Sequence, residues 1–124
     1  MKTKNKILIV DDETELSDLL KLRFGALGYK VSSAADGEEA LNAVKIDKPD
    51  LILLDIMLPK LDGISVLLKL KSDPAFKEIP VFMLSAIAQD EEVRVALSLG
   101  AEGYVKKPFD KDELISKVQG ALKE

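Results

Sequence analysis

The 124-residue sequence predicts an α/β fold built on a parallel sheet, and three observations lead there. Short strand-like apolar runs alternate five times with segments of helical spacing. The runs "ILIV" (7–10) and "LILL" (51–54) are continuously apolar, which suits strands buried on both faces. Alternation of this kind requires crossover connections, which join parallel strands and lay helices on both faces of the sheet. The crossovers are expected to be right-handed.

Each element has a local reason. "KILIV" (6–10) reads as the first strand. Helical spacing of Leu16, Leu19, Leu20, Phe24 and Leu27 predicts a helix over 14–27, stopped near Gly28. "YKVSSA" (29–34) is a weaker second strand. A helix is expected over 36–46, with Ala40, Leu41 and Val44 on one face. Asp36 sits at the N-cap position and Glu39 three residues on, as in a capping box. Pro49 precedes "DLILLDIML" (50–58), the clearest buried strand, and "LPKLDG" (58–63) is a loop in which Asp62-Gly63 reads as a turn. A helix over 63–72 uses Ile64, Leu67, Leu68 and Leu70, and "DPAFKEIP" (73–80) links it to a fourth strand, "VFMLS" (81–85). A fourth helix spans 90–99 and stops at Gly100. "GYVKK" (103–107) is a fifth strand ended by Pro108, and a last helix covers 111–122.

Composition bounds the function. The length suits one domain over 1–124, and 47% hydrophobic residues provide a core. A formal charge of -4 gives no support to nucleic-acid binding by this segment, because phosphate recognition wants a basic face. There are no cysteines, so disulfides and thiolate metal sites are excluded, and no histidines, so imidazole catalysis cannot occur within the chain. The basic "MKTKNK" is followed by an apolar run too short for a signal peptide or membrane span, and a cytoplasmic address is expected.

In open parallel sheets ligands bind beyond the carboxyl ends of the strands. Those ends are polar here. The first strand ends in Asp11 and Asp12, the third in Asp55, the fourth in Ser85, and the fifth in Lys106 and Lys107. If strands one and three are neighbours, three carboxylates converge. Two like charges ~5 Å apart repel by roughly 3 kcal/mol at an effective dielectric of about 20. Cations must offset such crowding, or a carboxyl must stay protonated. Few carboxylates at an open edge favour Mg²⁺ over Ca²⁺, and the stretch after Asp11 lacks the glycine of a calcium loop. An ionised aspartate beside Mg²⁺ can act as a nucleophile toward phosphorus, with serine and lysine on the transferred oxygens.

"ILIVDDE", "DLILLDIMLPKLDG", "VFMLSA" and "GAEGYVKKPF", in this order and over essentially the whole chain, resemble the motifs of the receiver domain of bacterial two-component response regulators. The resemblance implies a flavodoxin-like, doubly wound five-stranded sheet of strand order 2-1-3-4-5 with five helices. It implies Asp55 as phosphoacceptor, with Mg²⁺ bound by Asp12, Asp55 and the Met57 carbonyl, and by Asp11 through a water. Ser85 would contact a phosphoryl oxygen and Lys107, rather than Lys106, would pair with the phosphate. The Lys107–Pro108 peptide would be cis, and Tyr104 would be the switch aromatic. Met57 and Ile87 would flank the pocket, and as apolar residues they would not orient a water, so self-dephosphorylation is expected to be slow. The implied partners are a sensor histidine kinase or phosphotransfer protein and a downstream effector, addressed through the surface of helix four, strand five and helix five.

Plainer readings exist for each residue. Asp12 could cap the first helix with Glu15 completing a capping box, Asp55 could satisfy backbone amides in the following loop, Ser85 could cap the turn before the fourth helix, and Lys107 could be solvated. Tyr104 could simply pack, and Glu13 reads as a surface residue close to the pocket, placed to modulate it. A haloacid-dehalogenase-type phosphatase would need Asp-x-Asp-x-Thr where this chain has Asp11-Asp12-Glu13-Thr14, and a Rossmann fold would need glycines that "DDETEL" lacks. A degenerate receiver serving only as an interaction module would have no need of the intact Asp, Ser and Lys set.

Overall fold

The computed structural model describes residues 5–86 and 90–123. Five strands alternate with five helices: β1 (Lys6–Val10), α1 (Thr14–Ala26), β2 (Lys30–Ala34), α2 (Gly37–Ile46), β3 (Leu51–Asp55), α3 (Gly63–Lys71), β4 (Val81–Ser85), α4 (Asp90–Ser98), β5 (Gly103–Lys106) and α5 (Lys111–Leu122). All strand pairs are parallel, in the order β2-β1-β3-β4-β5. This is the doubly wound, flavodoxin-like arrangement expected above, with β1 and β3 side by side.

The apolar runs are buried throughout because the sheet is covered twice. Leu8, Val10, Ile52 and Leu54 point into one core with α2, α3 and α4, through Ala40, Val44, Val66, Leu67, Leu70 and Ala96. Ile7, Ile9, Leu51 and Leu53 point the opposite way, into a second core with Leu20 and Phe24 of α1 and Leu114, Ile115 and Val118 of α5. Alternate residues of one strand therefore serve different cores, which is why a period of two is invisible in the sequence.

Most element boundaries differ from the expectations by a residue or two, the third strand by three at its end: expected over 50–58, it stops at Asp55, where the chain folds back. Leu27 is the C-cap of α1, and Gly28, at φ 97°, turns the chain back. Leu19 and Leu27, placed on the apolar stripe of this helix, are 38% and 52% exposed. The buried face is Ser17, Leu20 and Phe24. Asp36 caps α2, accepting from the Glu39 amide at 2.8 Å. Asp62-Gly63 is more than a turn: Asp62 caps α3 by accepting from the Ser65 amide at 2.9 Å, and Gly63 is the first helical residue. Leu68 of that helix is exposed, while Val66 supplies the contact to the core.

Candidate functional site

The topology brings the polar strand ends together. Val10 pairs with Leu54 and Asp55 with Leu84, so Asp11 and Asp55 follow side by side, with Ser85 one strand over. Carboxylate oxygens of Asp11, Asp12 and Asp55 lie within 4.8 Å of one another. Asp11 and Asp55 are buried and Asp12 is exposed.

Asp12 does not cap α1, contrary to the capping-box alternative. The N-cap is Glu13, which makes no side-chain capping bond, and the Glu13 amide donates instead to Asp11 Oδ1 at 2.9 Å. That bond fixes Asp11 and leaves Asp12 turned outward. Asp55 Oδ1 accepts from the Met57 amide at 3.1 Å, so the chain folds back over the end of β3. Gly63 makes that reversal feasible: a Cβ at this position would lie 2.1 Å from the Asp55 carbonyl oxygen. Gly37 buttresses the same loop from α2, where a Cβ would meet the Leu61 carbonyl oxygen at 2.0 Å.

Lys107 closes the site. Its ammonium donates to Asp11 Oδ2 at 2.7 Å, Glu13 Oε1 at 2.7 Å and Asp55 Oδ2 at 3.1 Å. Of the two adjacent lysines, Lys107 is buried among these carboxylates and Lys106 is exposed. The peptide joining Lys107 to Pro108 is cis, as expected. Burial alone would lower the Lys107 pKa, but the hydrogen bonds it donates to Asp11, Glu13 and Asp55 outweigh it and hold the ammonium firmly protonated. Burial raises the Asp55 carboxyl above its ordinary range, and the bonds from Lys107 and the Met57 amide only partly offset that. Four carboxylates against one ammonium leave a formal charge of -3.

Such a site is matched to a hard divalent cation. Every donor is oxygen, the buried members are held by backbone amides, and Asp12 lies open to solvent. The Met57 side chain is 56% exposed at the rim. Ser85 is buried at the end of β4, and its main-chain oxygen accepts from Tyr104 Oη at 2.9 Å and from the Lys107 amide at 3.0 Å. Tyr104 packs against the core, and its hydroxyl meets the main chain of Ser85. Ile87 lies outside the described residues.

A parallel five-stranded sheet carrying an acidic pocket, a buried lysine and a serine at its carboxyl edge defines a class of phosphoacceptor domain. The family model for the response regulator receiver domain matches residues 7–119, and the chain belongs to that family. Receivers are the phosphoacceptor signalling switches of two-component systems, and this chain is one of them. It is 43% identical over 118 residues to the alkaline phosphatase synthesis transcriptional regulatory protein PhoP of Bacillus subtilis, covering 95% of this chain and 48% of that protein. It is 39% identical over 118 residues to the DNA-binding dual master transcriptional regulator RpaA of Synechocystis, covering 95% and 49%. Among solved structures it resembles a two-component response regulator from Clostridium difficile, with TM-score 0.90, 29% identity and 97% of each chain covered. It also resembles the chemotaxis response regulator CheY4 of Vibrio cholerae, with TM-score 0.89, 29% identity, and 97% of this chain and 100% of that chain covered. The chain spans about half the length of the curated relatives it matches.

Two features were missed in the sequence. Glu13 lies close to the pocket as expected, but its direct pairing with Lys107 was not foreseen. Gly63 is a close-approach position against the Asp55 backbone. Nothing local distinguishes either; both depend on segments far apart in the chain.

Proposed function

We propose that Asp55 accepts a phosphoryl group from a phosphohistidine on a separate protein, in a receiver domain spanning residues 1–124. The observation that carries this reading is the Lys107 ammonium shared between Asp11 and Asp55, with Asp12 close by. In the transfer, an Asp55 carboxylate oxygen attacks phosphorus, the phosphorus–nitrogen bond breaks, and its electron pair returns to the donor imidazole. Lys107 stays protonated and faces the equatorial oxygens, where it offsets the charge that spreads over them. Ser85 donates a hydrogen bond to one of those oxygens. Asp11, Asp12, Asp55 and the Met57 carbonyl are the groups that would hold Mg²⁺. The ion, when bound, would supply positive charge opposite the transferred oxygens and coordination positions for them. No step requires a histidine of this chain, in keeping with its composition.

Release is hydrolysis of the acyl phosphate. Met57, exposed at the rim, has no group to orient a water, which supports a slow rate of loss. Output follows from the Tyr104–Ser85 bond: drawing Ser85 toward a phosphoryl group shifts the acceptor of the Tyr104 hydroxyl and so the surface formed by α4, β5 and α5. The activity is confined to the chain's own phosphorylation and dephosphorylation, so a phosphatase acting on external substrates is not the favoured reading. Effector output, including any contact with DNA, falls to a partner or to another domain. Among the described residues no helix is long and apolar enough to cross a membrane, and a cytoplasmic setting with a sensor kinase as donor is the reading we adopt.

Intact-mass analysis after incubation with acetyl phosphate, with and without Mg²⁺, tests nucleophile and metal together. One phosphoryl adduct is expected, dependent on Mg²⁺ and absent in Asp55→Asn. An acid-stable adduct that survives in that variant refutes the assignment.

A further inference from the structure

We infer that Glu13 is a positioning residue that sets the charge of the phosphoacceptor site, favouring a divalent cation and opposing an anionic phosphodonor. The inference rests on the proposed role of Asp55. An ammonium has three hydrogens to donate, and Lys107 meets three carboxylates. Asp11 and Asp55 are the buried two, with side chains 0% and 8% exposed. Glu13 is the third, 60% exposed yet 2.7 Å from Nζ, as close as Asp11 and closer than Asp55 at 3.1 Å. It therefore meets the lysine from the solvent-exposed side of the site.

The charge balance gives this contact a consequence. Asp11, Asp12, Asp55 and Lys107 alone carry a formal charge of -2, which one divalent cation neutralises. Glu13 makes it -3, so a site loaded with a divalent cation keeps one excess negative charge facing solvent. That excess attracts the cation and repels a phosphodonor, and solvent screening keeps both effects moderate. Position is separable from charge. The Glu13 main chain fixes Asp11 through its amide, whereas the side chain alone meets Lys107. In Glu13→Gln the amide oxygen can still accept from Lys107 while the charge is gone.

The test combines calorimetric Mg²⁺ titration with initial labelling rates from acetyl phosphate, at Mg²⁺ saturating for each variant, for the wild type, Glu13→Gln and Glu13→Asp. Glu13→Gln should bind Mg²⁺ about threefold more weakly at low salt and label about twofold faster, the sizes expected for one screened charge. Its labelling rate should also depend less on ionic strength. Glu13→Asp, which keeps the charge, should stay near the wild type in both readouts. A role in structure alone would move both readouts downward together with the melting temperature. That outcome, or a Glu13→Gln protein indistinguishable from the wild type, overturns the inference. A wild type that takes up neither Mg²⁺ nor label overturns the reading of Asp55, and this inference with it.

Discussion

The Tyr104 hydroxyl donates to the main-chain oxygen of Ser85 at 2.9 Å, tying the aromatic residue on β5 to the last residue of β4. The same oxygen accepts from the Lys107 amide, so removing the tyrosine bond leaves no orphaned acceptor. Tyr104→Phe is therefore expected to lose about 1 kcal/mol or less in urea unfolding. It should keep wild-type labelling of Asp55, because the hydroxyl is not a ligand of the pocket. A loss of several kcal/mol would mean that Tyr104 has a larger share in the core than this bond implies.

Lys107 is shared by two buried carboxylates and offsets part of their charge, and its removal should be expensive. Breaking a buried ion pair from one side typically costs about 3–5 kcal/mol; Lys107→Met should fall toward the lower end, since Asp12 and the rim admit water. Millimolar Mg²⁺ should restore more stability to this variant than to the wild type, by replacing the missing positive charge. Thermal melts with and without Mg²⁺ measure both effects, and equal Mg²⁺ responses in the two proteins would contradict the charge balance.

Burial raises the Asp55 carboxyl above its ordinary value of 3.8, and the sign of the resulting pH dependence follows. Below that value both folded and unfolded chains hold the proton. As pH rises, the unfolded chain releases it first, so ionisation favours unfolding. The stability associated with Asp55 is thus fully present at low pH and is lost as pH rises through the folded value. In metal-free buffer Asp55→Asn should melt higher than the wild type at pH 7, with the gap closing as pH approaches 3.8. A gap that widens on acidification would reverse the assignment of burial as the dominant cause.

Gly63 has no room for a methyl group, since a Cβ would sit 2.1 Å from the Asp55 carbonyl oxygen and 2.8 Å from the Ile56 Cα. Both neighbours are backbone, so relief requires the β3–α3 connection to move. Gly63→Ala should cost about 2–3 kcal/mol and slow labelling, because the moving segment carries Asp55 and Met57. Gly120, with open space around its Cβ position, serves as the control: Gly120→Ala should be neutral or stabilising, given its place inside α5.

Asp36 provides a check outside the pocket. Its carboxylate accepts from the Glu39 amide at 2.8 Å, and Asp36→Ala should lose about 1 kcal/mol of stability while labelling at the wild-type rate. Slower labelling would show that α2 communicates with the site through the loop against Gly37.

By itself the sequence determined the elements and the chemistry available at their ends. Strand β4 and helix α5 lie where local pattern puts them, and Asp36 caps α2 as its spacing required. These features are legible because caps and apolar runs act between residues a few positions apart. The receiver motifs added the strand order. Only the tertiary structure decided which groups meet. Adjacent Lys106 and Lys107 look alike as letters, yet one is exposed and the other is buried among carboxylates 52 to 96 residues away. Glu13 gains its partner 94 residues on, and Asp12 loses its capping role because the Glu13 amide turns to Asp11. Leu19 and Leu27 fit a helical stripe but face solvent, since α5 and the sheet dictate which side of α1 is covered. Contacts of such separation arise when the sheet closes, and no local window of residues contains them.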